Sequence, residues 1–210
     1  MLKRFALAAA LFAFSAVSAQ DVPSPAAPAT TDVVIHTDLG DITVALEIDR
    51  APVTSRNFLR YVDTRRFDGT VFYRVMHLNW GEQPNGLIQG GTQNDPKRIL
   101  PPIKHERTSD TGVKHIAGAI SMARLIPGSA TGDFTITVSP QPGLDADPTS
   151  SDPDRQEGFA AFGHVTNGMD VVRAIFDSPT DPDKGEGVMK GQMLAKPVRI
   201  ITVRRAVPVG

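Results

Sequence analysis

The shortness of its β-favouring runs most constrains what this chain can fold into. Val33–His36, Ile42–Leu46, Thr70–Val75, Leu87–Gln89, Ala119–Met122, Phe134–Val138, Ala160–Phe162 and Val198–Val203 are rich in β-branched, aromatic or small apolar residues, bounded by Gly, Pro, Asn or Asp. About eight short strands would expose many unpaired edges in an open sheet, and closure into a barrel removes them. The first two runs flank Asp38-Leu39-Gly40-Asp41, whose turn chemistry predicts a hairpin. Two helical segments interrupt the pattern. Pro52 suits a first helical turn, and Phe58, Tyr61 and Val62 share one face up to about Thr64. After Asn167-Gly168, Met169, Val172 and Phe176 fall on one side of a second helix. The expected architecture is mainly β: a closed antiparallel barrel of about eight strands, capped by two α-helices.

With 40% hydrophobic residues the chain has enough apolar material for a real core, and its 210 residues suit one domain of moderate size. Its formal charge of −1, with no basic stripe, argues against nucleic acid as a partner. Having no cysteine, it cannot form disulfides, a thiolate zinc site or a thiol nucleophile. At the N-terminus Lys3 and Arg4 precede an apolar run from Phe5 to Phe14, and Val17-Ser18-Ala19 supplies small residues before Gln20. This is the three-part pattern of a signal peptide spanning residues 1–19. The run is shorter than the ~20 apolar residues that span a bilayer, so a cleaved, soluble, periplasmic or secreted product is expected, with no stable membrane insertion. Residues 20–31 include DVPSPAAPATT and read as a Pro/Ala-rich tether. The folded domain is expected over 32–205, with 206–210 as a tail.

Several familiar chemistries lack support. His36, His77, His105, His115 and His164 are scattered, with no i, i+4 pair of the zinc-helix kind. Asp145, Asp147, Asp152 and Asp154 lack the glycine and closing glutamate of a calcium loop and read as a solvated loop. Gly185, Gly187 and Gly191 follow no strand and read as a flexible turn rather than a dinucleotide loop. No nucleophile elbow surrounds Ser121, Ser129 or Ser139. No metal or organic cofactor is expected.

Four segments carry a family resemblance. Gly69-Thr70-Val71-Phe72-Tyr73-Arg74-Val75, Ile88-Gln89-Gly90-Gly91, Gly118-Ala119-Ile120-Ser121-Met122-Ala123-Arg124 and Ala161-Phe162-Gly163-His164-Val165 stand in the order and approximate spacing of the cyclophilin-type peptidyl-prolyl cis-trans isomerases. Ala51-Pro52-Val53-Thr54 with Asn57-Phe58, Ile103-Lys104-His105-Glu106, and Asn167 through Val172 resemble the family's intervening pieces, so the likeness runs from about Asp32 to Arg205. The resemblance implies a bacterial, exported isomerase on a cyclophilin-like barrel, acting without cofactor, as a monomer, on unfolded or proline-containing polypeptides. It assigns catalysis to Arg74, with Gln89 orienting either the substrate backbone or the arginine. It assigns substrate contacts to Leu87, Ala123, Arg124, Asp133, Thr135, Leu144 and Phe159.

The departures bear on function. By the same resemblance Gly86, Thr135 and Gly143 stand where the family usually has aromatic rings, and Asp133 where glutamine is common. Rings are the largest suppliers of apolar contact area, so weak substrate binding and poor binding of cyclosporin are expected. An alternative function follows: a weakly catalytic or non-catalytic chaperone module that holds proline-containing segments. The stretch from Arg74 to Gln89 is about seven residues longer than the compact family pattern. Its extra residues, His77 to Asn85, contain the only tryptophan, Trp80, which either packs this loop onto the barrel or serves as a lid.

Overall fold

A computed structural model describes residues 27–207. The expected signal segment therefore lies outside the described residues, as do residues 20–26 of the tether and 208–210 of the tail. Eight strands form one closed antiparallel barrel: β1 (Thr31–Thr37), β2 (Gly40–Leu46), β3 (Val71–His77), β4 (Gly86–Gly91), β5 (Ala119–Met122), β6 (Asp133–Thr137), β7 (Ala161–Asn167) and β8 (Met193–Arg205). Their order around the barrel is β1-β2-β7-β5-β6-β4-β3-β8, and β8 closes the ring by pairing with both β3 and β1. All eight expected runs are strands. β8 begins five residues earlier than the apolar pattern suggested, because Met193 still pairs with Arg74 while later residues pair with β1.

Alternation decides which side chains fill the interior. Val33 and Ile35 of β1, Ile42 and Val44 of β2, Phe72 and Val75 of β3, Ile88 of β4 and Phe134 and Ile136 of β6 are all fully buried. Helix α1 (Pro52–Asp63) plugs one end with Phe58, Leu59, Tyr61 and Val62. Phe58 meets Phe134 edge-on at 5.4 Å between ring centroids, and Phe67 and Phe72 approach the same ring at 5.6 and 5.7 Å. Each such side chain contributes about 1.5–3 kcal/mol on leaving water, with aromatic pairs adding about 0.5–1.5. The barrel interior is a packed core, so any ligand must bind outside it. Helix α4 (Met169–Phe176) buries Val172, Ile175 and Phe176 and packs against β2, β3 and β4.

Two short helices were not expected. α2 (Thr108–Thr111) ends at Gly112, which takes the left-handed conformation at φ 71°. α3 (Pro153–Glu157) is capped by Asp152, whose side chain accepts from the Asp154 N–H at 2.9 Å. Helix α1 lacks a cap of its own: Ala51 offers no side-chain acceptor. Glu106, from the long connection between β4 and β5, fills the gap. Its carboxylate accepts from the Val53 N–H (3.1 Å), the Thr54 N–H (2.7 Å) and the Thr54 hydroxyl (2.7 Å). Glu106 thus satisfies first-turn donors that the helix leaves open.

Candidate active site

The site lies on the outer wall of the barrel, across β3, β4 and β6. Strand alternation alone would put Tyr73 and Arg74 on opposite faces. A β-bulge between Phe72 and Arg74 breaks the register, so Phe72 and Val75 both point into the core while Tyr73 and Arg74 both face outward. Arg74 stands opposite Gln89, and Gln89 opposite Thr135. Leu87 and Gln89 on β4 and Asp133 and Thr135 on β6 share this outer face, since residues two apart on a strand point the same way.

Arg74 is held by neutral oxygens. Its Nη1 donates to Gln89 Oε1 at 2.7 Å, while Nε and Nη2 donate to Gln192 Oε1 at 2.8 and 2.6 Å. No carboxylate pairs with it among the described residues, and burial lowers its pKa, with the nearby Tyr73 opposing. A guanidinium carries five N–H groups, so two remain free at its outer edge. The result is a fixed, uncancelled cation beside a cavity of about 370 Å³.

That cavity gathers all nine residues named from the resemblance: Arg74, Leu87, Gln89, Ala123, Arg124, Asp133, Thr135, Leu144 and Phe159. Leu87, Leu144, Phe159 and Met76 supply apolar wall. Arg124 is braced rather than free: Nε and Nη2 donate to the Gly158 carbonyl at 3.0 and 2.7 Å, its guanidinium lies 4.7 Å from the Phe159 ring centre, and Nη1 pairs with Asp154 at 3.2 Å. It fixes the ring that borders the pocket. The two glycine departures differ physically. Gly86 adopts φ +143°, and an added Cβ would lie 1.8 Å from the Met76 carbonyl oxygen, so the backbone itself forbids a side chain there. At Gly143, in the 3-10 turn Pro142–Leu144, an added Cβ would meet nothing within 4 Å.

Further wall residues escaped sequence reasoning: Met76, Asn94, Leu125, Ser129, Thr131 and Met189. So did Gln192, whose contact with Arg74 spans 118 positions in the chain. Trp80 lines no part of the cavity. It is 66% exposed, and the inserted loop is pinned instead by amides, with Asn85 Nδ2 donating to the Trp80 carbonyl at 2.6 Å. Both expected roles for Trp80, lid and packing anchor, are therefore corrected.

Ser121, His115 and Asp145 form a string that the absence of an elbow motif did not foretell. His115 Nε2 lies 2.9 Å from the Ser121 hydroxyl, and Nδ1 lies 2.7 Å from Asp145 Oδ1. Ser121 and His115 are 1% and 2% exposed and do not line the site cavity, so the string is a structural tie between β5 and the turn that carries Leu144. The other aspartates of the acidic run are separately engaged: Asp147 with Thr149, Asp152 as the α3 cap and Asp154 with Arg124.

A fixed guanidinium edge beside an apolar slot can hold a small ring and polarise the amide attached to it. Comparison with known proteins bears on the family. A family model described as cyclophilin type peptidyl-prolyl cis-trans isomerase/CLD matches residues 32–205. A peptidyl-prolyl cis-trans isomerase of Acinetobacter baylyi is 36% identical over 180 residues, covering 84% of this chain and 86% of that one. Peptidyl-prolyl cis-trans isomerase B of Escherichia coli is 35% identical over 144 residues, covering 68% and 82%. A cyclophilin type isomerase of Cryptosporidium parvum, whose structure was also solved in the presence of the dipeptide Ala-Pro, superimposes with a TM-score of 0.65 at 20% identity, covering 86% of this chain and 99% of that one; the complex itself scores 0.65. Barrel, arginine and sequence relatives converge: the chain belongs to the cyclophilin-type peptidyl-prolyl cis-trans isomerases.

Proposed function

We propose that this isomerase acts through Arg74 on unfolded or proline-containing polypeptides outside the cytoplasm, in the periplasm or after secretion, and works as a monomer. The carrying observation is the guanidinium held by two glutamine carbonyls with a free N–H edge beside the apolar wall. Rotation about an Xaa–Pro bond must break amide resonance, which makes it take tens to hundreds of seconds unaided. In the twisted state the prolyl nitrogen regains a localised lone pair. A donor fixed near that nitrogen binds the twisted state better than the planar one and lowers the barrier. Arginine suits this because it stays charged and its planar fork is rigid. Leu87, Leu144 and Phe159 would seat the prolyl ring, and no covalent bond is made or broken.

The test is an isomerisation assay on short Xaa–Pro peptides without a coupling protease. Arg74→Ala should lose at least ~10-fold in kcat/KM, about 1.4 kcal/mol of transition-state stabilisation, with an unchanged circular dichroism spectrum. Equal activity in both proteins would refute the role of Arg74. Activity in neither would favour the proline-holding module, a reading that draws on the missing rings at Gly86, Thr135 and Gly143. Export rests on Lys3, Arg4, the run from Phe5 to Phe14 and Ala19. N-terminal sequencing of protein from the cell envelope should begin at or near Gln20, and a retained Met1 would overturn that assignment.

A further inference from the structure

The two ends of a glutamine amide are alike in shape and opposite in hydrogen bonding, so a glutamine can steer an arginine only if something else decides which end is oxygen. For Gln192 the main chain decides. Its Nε2 donates to the Val188 carbonyl at 2.8 Å, leaving Oε1 for Arg74. Gln89 has no such main-chain anchor among the described residues. Its Nε2 donates instead to the Tyr73 hydroxyl at 2.7 Å.

Gln89 therefore bridges two side chains: its Nε2 faces the Tyr73 oxygen, and its Oε1 accepts from Arg74 Nη1 at 2.7 Å. Arg74, already fixed by Gln192, is a donor only, so reversing the Gln89 amide would set N–H against N–H at Arg74. The β-bulge makes this possible by bringing Tyr73 to the same face as Arg74.

We propose that Tyr73 is a positioning residue for the isomerase reaction, holding the Gln89 amide with its oxygen toward Arg74 and so keeping the guanidinium's free edge on the prolyl nitrogen. The proposal rests on the catalytic role of Arg74.

The decisive variant is Tyr73→Phe, which removes the hydroxyl that holds Gln89 while leaving the ring in place. Measured by NMR exchange spectroscopy on an Ala-Pro peptide, its kcat should fall about 3- to 10-fold, the size of one hydrogen bond, with KM changed less than about twofold. In the presence of Gln89→Ala the same substitution should have no further effect, because the group being positioned is gone. An unchanged kcat, or a loss that persists undiminished on top of Gln89→Ala, would overturn the proposal. Either result would leave the Arg74 assignment standing if Arg74→Ala is impaired. Should Tyr73→Phe fail to fold, the wild type supplies a second measurement: the Gln89 side-chain NH2 signals should be protected from solvent exchange, and free exchange would count against the bond to Tyr73.

Discussion

Glu106→Ala offers a direct test of how a long-range contact holds helix α1. The substitution removes a charged acceptor from the Val53 N–H, the Thr54 N–H and the Thr54 hydroxyl, and Ala51 supplies nothing in exchange. Loss of an N-cap side chain costs about 1 kcal/mol and up to about 2, and hydrogen bonds to an ionised acceptor fall at the upper end. Water reaches Glu106, which is half-buried, and recovers part of the loss. We therefore expect about 2 kcal/mol of destabilisation, equivalent to roughly 4–8 °C in Tm for a domain of this size. Glu106→Gln keeps one acceptor oxygen without the charge and should lose about half as much. Thr54→Ala should cost little once Glu106 is already alanine, since its hydroxyl shares the same carboxylate. Urea titration followed by far-ultraviolet circular dichroism is the suitable assay, because the exposed Trp80 would report poorly on unfolding. A Glu106→Ala loss below about 0.5 kcal/mol, the range of ordinary surface changes, would refute the capping account.

Gly143→Trp should tighten peptide and cyclosporin binding, since its Cβ meets open space beside Leu144 and a ring burying roughly 100 Å² adds about 2.5 kcal/mol. Calorimetry should find wild-type cyclosporin affinity weaker than micromolar and unaltered by Trp80→Ala; submicromolar wild-type binding would contradict the expected cost of the missing rings. His115 gives a pH test. Burial holds its pKa below the ordinary 6.5, with the Asp145 carboxylate opposing. The unfolded chain therefore takes up a proton before the native one does, so stability is intact above pH 6.5 and falls as pH drops below it toward the depressed native value. Unfolding free energies at pH 7.5 and 5.5 should show this loss in the wild type and a smaller one in His115→Gln; equal slopes would remove His115 from the account.

The sequence by itself determined the barrel and its closure. Eight short β-favouring runs, bracketed by turn residues, have one economical way to hide their edges, and this information is local. It also placed α1 and α4, whose apolar residues recur at helical spacing. Arg74 and Gln89 were legible only through a family likeness, because a lone arginine on a strand has no distinguishing local pattern. What tertiary structure alone decided are the contacts that aim and brace these groups. The Arg74–Gln192 bond spans 118 positions, Glu106 reaches Thr54 across 52, and His115 meets Asp145 across 30. The bulge at Tyr73 belongs to the same class. It depends on how β3 registers against β4 and β8 together, and alternation read along one strand cannot show where its partners slip by a residue. A backbone repeat is written in consecutive residues, whereas the partner of a hydrogen-bonding side chain is chosen only when the closed barrel brings distant segments within 3 Å, as it does for Arg74 and Gln192 at 2.8 Å.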